Sequence, residues 1–311
     1  MAELKAQMVP IAIGMPVYNR AKTLPRVLDS ILELDYDRRK LRLIFVDNRS
    51  SDGSFELLEE FGSRWRGGFE AILIVRERGN IPFARNRCID LMGGAVALLF
   101  LDSDVVLKPW ALKRMLELME GADITSLQYG PPPRGRKRGP RYVSDVGMGC
   151  TLIKREVFNA IGRFDEGLPV GEDTDFCLRA VEAGFRIILD DSESLEHLGR
   201  GETGPLGLLA GSARKRAVYA RLLSRRVYRR RFALYSFLDL CLPLSALASP
   251  AFAIPITAYF ALQLAKSRSP GWALASTANA LILPPLALIG LLESRRAGPA
   301  GSRGGARPRG D

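Results

Sequence analysis

Ala95-Val96-Ala97-Leu98-Leu99-Phe100-Leu101, followed at once by Asp102-Ser103-Asp104, is the stretch that decides the fold. Seven apolar residues bounded by turn formers read as a strand buried on both faces. Along an extended chain, side chains two residues apart point the same way, so Asp102 and Asp104 face one side at the strand's end. Two carboxylates together suit a hard divalent cation, which also takes phosphate oxygens. Taken alone, Asp-x-Asp is common where strands turn into loops. Its meaning depends on what surrounds it.

Outward from this strand the same design repeats. Ile11-Ala12-Ile13-Gly14-Met15 is an apolar run ending at Pro16, Leu43-Ile44-Phe45-Val46 closes on Asp47, and Ala71-Ile72-Leu73-Ile74-Val75 makes a third run. Between them, Leu24, Val27, Leu28, Ile31 and Leu32 recur at helical spacing, and helices are expected at 24–34, 55–61, 81–92 and 174–184. Arg186-Ile187-Ile188-Leu189 reads as a late strand. Strands alternating with helices predict an α/β, Rossmann-like domain with a mostly parallel sheet. Open sheets of this kind bind ligands at the carboxyl ends of their strands. The polar residues there, Asn19, Asp47 and Asp102, are therefore the first candidates.

Each strand end carries its own signal. Pro16-Val17-Tyr18-Asn19 follows the first strand, and Asp47-Asn48-Arg49-Ser50-Ser51-Asp52-Gly53-Ser54 follows the second. An Asp at that position can accept hydrogen bonds from a nucleotide base, while Asp52-Gly53-Ser54 reads mainly as turn and helix-cap chemistry. Gly79-Asn80-Ile81-Pro82-Phe83-Ala84-Arg85-Asn86 precedes the central strand. Arg85 suits a bidentate clamp on phosphate, or else a surface cation on a helix. Gly171-Glu172-Asp173-Thr174-Asp175 gathers carboxylates, which raise one another's pKa and so suit a general base. A helix N-terminus attracts acids for its own reasons.

Taken in order, Pro-Val-Tyr-Asn, Val-Asp-Asn-Arg-Ser-Ser-Asp-Gly-Ser, Asn…Ala-Arg-Asn, Leu-Asp-Ser-Asp and Gly-Glu-Asp-Thr-Asp-Phe resemble the family 2 glycosyltransferases with the GT-A fold, over roughly residues 9–200. The resemblance implies a nucleotide-sugar donor, with a UDP-sugar favoured. Pro16, Tyr18 and Asp47 would hold the base, with Asn19, Asn80 and Arg85 on the donor side. Asp102, Ser103 and Asp104 would bind ribose and diphosphate through Mg²⁺ or Mn²⁺. Asp173 would be the general base that deprotonates the acceptor hydroxyl, and Glu172 would orient it or bind the acceptor. Gly147-Met148-Gly149-Cys150 resembles the small-residue turn of the acceptor pocket, so Gly147 and Gly149 fall on the acceptor side; a strand with a bulge is the alternative. His197, the single histidine, is implied as a third metal ligand or a diphosphate contact, against a structural role. No Gln-x-x-Arg-Trp follows the Glu-Asp pair, so processive synthesis is disfavoured.

Charge divides the chain. Residues 1–200 carry 29 Lys/Arg and 30 Asp/Glu, a net −1; residues 201–311 carry 16 and 4, a net +12. A basic stretch, Arg214 to Arg231, precedes an uncharged run of 26 residues from Leu240 to Ala265. Lys266 and Arg268 separate it from a second run of 24, Ser269 to Leu292. Crossing a bilayer takes roughly 20 apolar residues, and a soluble helix needs a polar face that these lack. Prolines 243, 250, 255, 284 and 285 would kink or shorten them.

The expected organisation is a GT-A catalytic domain (1–205), a basic juxtamembrane segment (206–235), a two-helix membrane hairpin within 236–292 (about 240–265 and 270–292), and a disordered basic tail (293–311). Cations flanking the hairpin place the catalytic domain and the C-terminus in the cytoplasm. The basic surplus is thus assigned to membrane lipid and topology, with no nucleic acid partner, and the acceptor is expected to be lipid-linked or membrane-associated. The N-terminus shows no apolar signal-peptide region. Cys88, Cys150, Cys177 and Cys241 form no CxxC pair, so neither a zinc site nor a redox motif is expected. The Pro-, Gly- and Arg-rich residues 129–141 read as an exposed loop. A nucleotidyltransferase would need a Gly-rich, basic loop after the first strand, where Pro-Val-Tyr-Asn stands instead. A non-catalytic nucleotide-sugar binder is the remaining alternative.

Overall fold

In the computed structural model the described residues are 9–130, 138–168 and 171–199, all within a unit spanning Met1–Glu202. The expected juxtamembrane segment, membrane hairpin and tail lie outside the described residues. Among the described residues no helix is long and apolar enough to cross a membrane.

The first half alternates as expected: β1 (Ile11–Val17), α1 (Leu24–Leu32), β2 (Leu41–Asp47), α2 (Ser54–Arg64), β3 (Ala71–Arg76), α3 (Ile81–Leu91) and β4 (Ala97–Leu101). Then come β5 (Val105–Val106), α4 (Ala111–Leu118), β6 (Ile124–Tyr129), β7 (Pro140–Val143), β8 (Cys150–Lys154), α5 (Arg155–Ile161), α6 (Glu172–Glu182) and β9 (Ile187–His197). The sheet runs β3-β2-β1-β4-β8-β6-β9-β5, with β7 also on β9. The strands β3, β2, β1 and β4 are parallel, β8 runs antiparallel between β4 and β6, and β9 is parallel to β6. The mostly parallel sheet is thus mixed: its second half turns on an antiparallel β8.

Strand parity explains how both faces are covered. Ile11, Ile13, Met15 and Val17 of β1 belong to one apolar cluster with α1 and α4, whereas Ala12 belongs to the opposite one with Ile44, Val46, Cys88 and Phe176. All of β4 is buried. Each such side chain contributes about 1.5–3 kcal/mol on full burial, so the apolar runs fix the strands strongly. Pro16, the expected end of β1, lies inside the strand opposite Val46. It sits past the last β1–β4 pair, Gly14–Phe100, so its missing N–H costs no ladder bond there.

Strand β9 is longer than the expected 186–189. Its second half, Asp190 to His197, is mostly polar and carries no apolar alternation; pairing with the end of β6 and with β5 holds it extended. The loop expected over 129–141 is narrower too. Tyr129 closes β6, and Pro140 and Arg141 start β7, where Arg141 pairs with the buried Asp191.

Candidate active site

The carboxyl ends of β1, β2 and β4 open onto a cleft of about 400 Å³ lined by Pro16, Tyr18, Asn48, Arg85, Asp102 and Asp104 among others. Tyr18 presents its ring, 57 % exposed, at the mouth. Ser103 and Asp104 are buried at the floor, and the Ser103 carbonyl is tied to α1 by the Thr23 hydroxyl at 2.9 Å.

The two aspartates face different partners. Asp104 stands 3.4 Å from Arg20 Nη2 and 3.3 Å from His197 Nε2. His197 reaches it because β9 pairs with β5, placing His197 opposite Val105. Asp102 stands 3.8 Å from Arg85 Nη2. Desolvation at the cleft floor, joined by the charge of Asp104, raises the Asp102 carboxyl above its ordinary value against the pull of Arg85. Among the described residues no group of three or more His, Cys, Asp and Glu side chains converges to hold a metal ion. The donor set nevertheless fits Mg²⁺ or Mn²⁺. Such ions are held by one or two carboxylates and complete their shell with substrate phosphates and water, and Asp102 and Asp104 supply hard oxygens at the floor, with His197 beside Asp104.

Of the other predicted donor residues, Asn80 lines the cleft, while Asp47 and Asn19 support it from behind. Asp47 is fully buried and does not line it; its carboxylate accepts the Ser50 N–H at 3.0 Å and lies 3.5 Å from Arg76 Nε. Asn19, at φ 52°, joins the first two loops: its Oδ1 accepts from Ser51 N–H at 3.0 Å, and its N–H donates to the Ser50 hydroxyl at 2.9 Å. Asn80 caps α3 through the Phe83 N–H and donates to the Glu166 carbonyl. Asp52 accepts from Ala21 and Ser54 N–H groups, which is the turn and cap chemistry expected of it.

Arg85 is 5 % exposed and does not sit as a surface cation. Its Nη1 donates to Glu172, itself 6 % exposed, and its guanidinium lies over the Phe164 ring at 5.7 Å. Its Nε is buried without a partner among the described residues. Arg85 therefore links the Asp102 side of the site to the Glu-Asp pair. Desolvation, and then the charge of Asp173, raise the Glu172 carboxyl above its ordinary value, against Arg85.

Glu172 and Asp173 open α6, whose first turn also holds Asp175. Asp173 is thus at a helix N-terminus as well as in the site: its Oδ1 accepts the Thr174 N–H at 2.8 Å. Its Oδ2 points toward Gly147, 4.0 Å from where a Cβ there would stand. Gly147, Met148 and Gly149 lead into β8 through a turn. The glycines have a steric cause. A Cβ on Gly147 would come 2.6 Å from Tyr129 Oη, and one on Gly149 would come 2.8 Å from both Tyr129 Oη and Asp102 Oδ2.

Three site residues, Arg20, Asn48 and Tyr129, had no role assigned from the sequence, and neither did the pairing of Arg85 with Glu172. For Asn48 strand parity was a usable signal, because Val46 and Asn48 share the cleft side while Asp47 points into the domain. Its Oδ1 accepts from Gly79 N–H at 2.9 Å.

The mixed sheet, with four parallel strands on one side and the antiparallel β8 beside β4, is a GT-A-like fold. The structure is similar to the mannosyltransferase PcManGT of Pyrobaculum calidifontis, solved with GDP-Man and Mn²⁺: TM-score 0.60 and 18 % identity, over 94 % of this chain and 89 % of that one. At that identity the likeness shows the fold. Residues 12–164 match the model of glycosyl transferase family 2, which marks that stretch as a glycosyltransferase domain. Among curated relatives, the glycosyltransferase AglE of Haloferax volcanii is 26 % identical over 194 residues, 57 % of this chain and 63 % of AglE. The succinoglycan biosynthesis protein ExoM of Rhizobium meliloti is 29 % identical over 187 residues, 53 % of this chain and 59 % of ExoM. The chain therefore spans less than two thirds of the length of either relative.

Proposed function

We propose that this protein is an inverting, metal-dependent glycosyltransferase that moves a sugar from a nucleotide-sugar, with a UDP-sugar favoured, to a lipid-linked or membrane-associated acceptor. One observation carries the reading: Asp102 and Asp104 at the floor of the cleft stand across the Gly147–Gly149 turn from Asp173. The cleft takes the nucleoside diphosphate, with Tyr18 and Asn48 beside the base and Arg20 near the phosphates. Asp102 and Asp104, with His197, would hold Mg²⁺ or Mn²⁺, which neutralises charge developing on the leaving diphosphate.

On the opposite side Asp173 accepts the proton of the acceptor hydroxyl. That oxygen bonds to the anomeric carbon as the bond from carbon to the diphosphate oxygen breaks, and the nucleoside diphosphate leaves with the electron pair. Attack from the face opposite the leaving group inverts the anomeric centre. Arg85 holds Glu172 and keeps the first turn of α6 in place.

We also propose that the enzyme is a multi-pass protein of the cell membrane with its catalytic domain on the cytoplasmic side. The two uncharged runs and the cations around them support this, and they motivate the acceptor class. The test is a thermal-stability screen of the full chain with Mn²⁺ and UDP-, GDP- or TDP-sugars. Ligand at 100 times its Kd adds about 2.7 kcal/mol, so one donor series should raise the melting temperature by several degrees. No shift with any nucleotide-sugar would reject the reading.

A further inference from the structure

Tyr129 closes β6 at the centre of the site. It is half-buried, with Gly147, Gly149 and His197 beside it. The point where a Gly149 Cβ would stand is 2.8 Å from Tyr129 Oη and 2.8 Å from Asp102 Oδ2. The equivalent point at Gly147 is 2.6 Å from Tyr129 Oη and 4.0 Å from Asp173 Oδ2. The Tyr129 ring also packs against the imidazole of His197, centroid to centroid 5.6 Å, and His197 in turn meets Asp104. The phenol therefore spans the interval between the carboxylate assigned to the diphosphate side and the carboxylate assigned to the acceptor side. Two glycines keep that interval open, since a methyl group at either would collide with the hydroxyl.

In an inverting transfer the anomeric carbon must lie between leaving group and base, so the transferred sugar ring occupies this interval. We propose that Tyr129 is a sugar-recognition residue whose hydroxyl hydrogen-bonds the transferred hexosyl group and holds it between Asp102 and Asp173. This rests on the glycosyltransferase reading above. The chemistry suits it: a phenol is a neutral hydrogen-bond donor. A sugar hydroxyl is the acceptor such a donor requires. A nucleoside diphosphate without its sugar has no group in that interval.

The experiment is calorimetric titration of the full chain with Mn²⁺, comparing each nucleoside diphosphate with its sugar-bearing form. Tyr129→Phe keeps the ring, its packing on His197 and the fold, and removes only the hydroxyl. The sugar-bearing donor should lose about tenfold in affinity, the scale of one neutral hydrogen bond, while the nucleoside diphosphate stays within about twofold. Gly147→Ala, which displaces the hydroxyl without altering Tyr129, should give the same split. An equal loss for both ligands, or none for either in both variants, would overturn the assignment. Wild-type protein that binds neither UDP nor GDP, with or without a sugar, would instead remove the donor reading itself and this assignment with it.

Discussion

Replacing Arg85 by Met removes the one cation bonded to Glu172 among the described residues and leaves that carboxyl in a site where it is 6 % exposed. Breaking a buried pair from one side costs about 3–5 kcal/mol, because the remaining charge is uncompensated. Glu172 has a way to limit this cost: it can take up a proton. Neutralising a carboxyl of ordinary pKa at pH 7 costs about 3.7 kcal/mol, at 1.36 kcal/mol per unit. The expected loss at pH 7 is therefore about 3–4 kcal/mol, or roughly 6–16 °C in melting temperature for a domain of this size.

The pH dependence separates this cause from simple loss of packing. In the variant the folded state keeps Glu172 protonated while the unfolded state ionises it. The folded state then binds more protons, so stability rises as pH falls, by about 1.4 kcal/mol per unit until the unfolded pKa near 4.3. The deficit against wild type should shrink by more than half between pH 7 and pH 5. Adding Glu172→Leu should recover most of the loss, since a well-packed apolar pair is a fair substitute for a buried ion pair. Urea unfolding of the full chain at the two pH values is the assay. A deficit below about 1 kcal/mol, or one that does not change with pH, refutes the reasoning.

Three further outcomes follow from the geometry. Gly149→Ala places a methyl 2.6 Å from the Tyr129 ring carbon Cζ and 2.8 Å from Asp102 Oδ2; transfer should fall by at least about 100-fold while the melting temperature moves by only a few degrees, and near wild-type transfer would show that the turn has room to spare. Chelation with EDTA should abolish both turnover and the nucleotide-induced rise in melting temperature, and Mn²⁺ should restore both; a nucleotide shift that survives EDTA would place diphosphate binding on Arg20 and Arg85 instead. Asp190 is buried, which by itself raises its carboxyl, but the Ser192 hydroxyl and N–H and Arg114 together hold it below its ordinary value. Its stabilisation is present above the unfolded pKa near 3.9 and lost as pH falls through the lower folded one; Asp190→Asn should therefore lower stability at pH 7 and flatten the acid decline, and an unchanged decline measured by urea unfolding down to pH 3 would count against it.

The parallel half of the domain was legible because its strands carry continuous apolar runs: β1 and β4 are buried almost throughout, β2 is buried but for Arg42, and β3 keeps an unbroken apolar run although it is only half-buried. The antiparallel half was not. In β9 the residues Asp190 to Glu196 are mostly polar and are extended because β6 and β5 pair with them, which is a tertiary effect. The same holds within the site. Asp102, Asp104 and Asp173 announce themselves by position in ordered motifs. Arg85 and Glu172 are 87 residues apart, and no local rule couples them. Tyr129 ends a strand in an ordinary way, and its importance comes from two glycines twenty residues on that give it space. Asp47 illustrates the reverse: it has the right chemistry for a base contact, but strand parity turns it inward and leaves Asn48 facing the cleft.

The central claim is that Asp104 and Asp173 divide the work of one transfer reaction, the first holding the donor and the second taking the acceptor's proton. The most direct measurement compares donor binding and nucleoside diphosphate release in Asp104→Ala and Asp173→Asn, on the full chain with Mn²⁺, the nucleotide-sugar identified by the stability screen and a polyprenyl-phosphate acceptor. Asp104→Ala should lose donor binding and turnover together. Asp173→Asn should bind donor with an affinity within about threefold of wild type and lose at least about 100-fold in turnover, the scale of a missing general base. Turnover in Asp173→Asn equal to wild type would contradict the account.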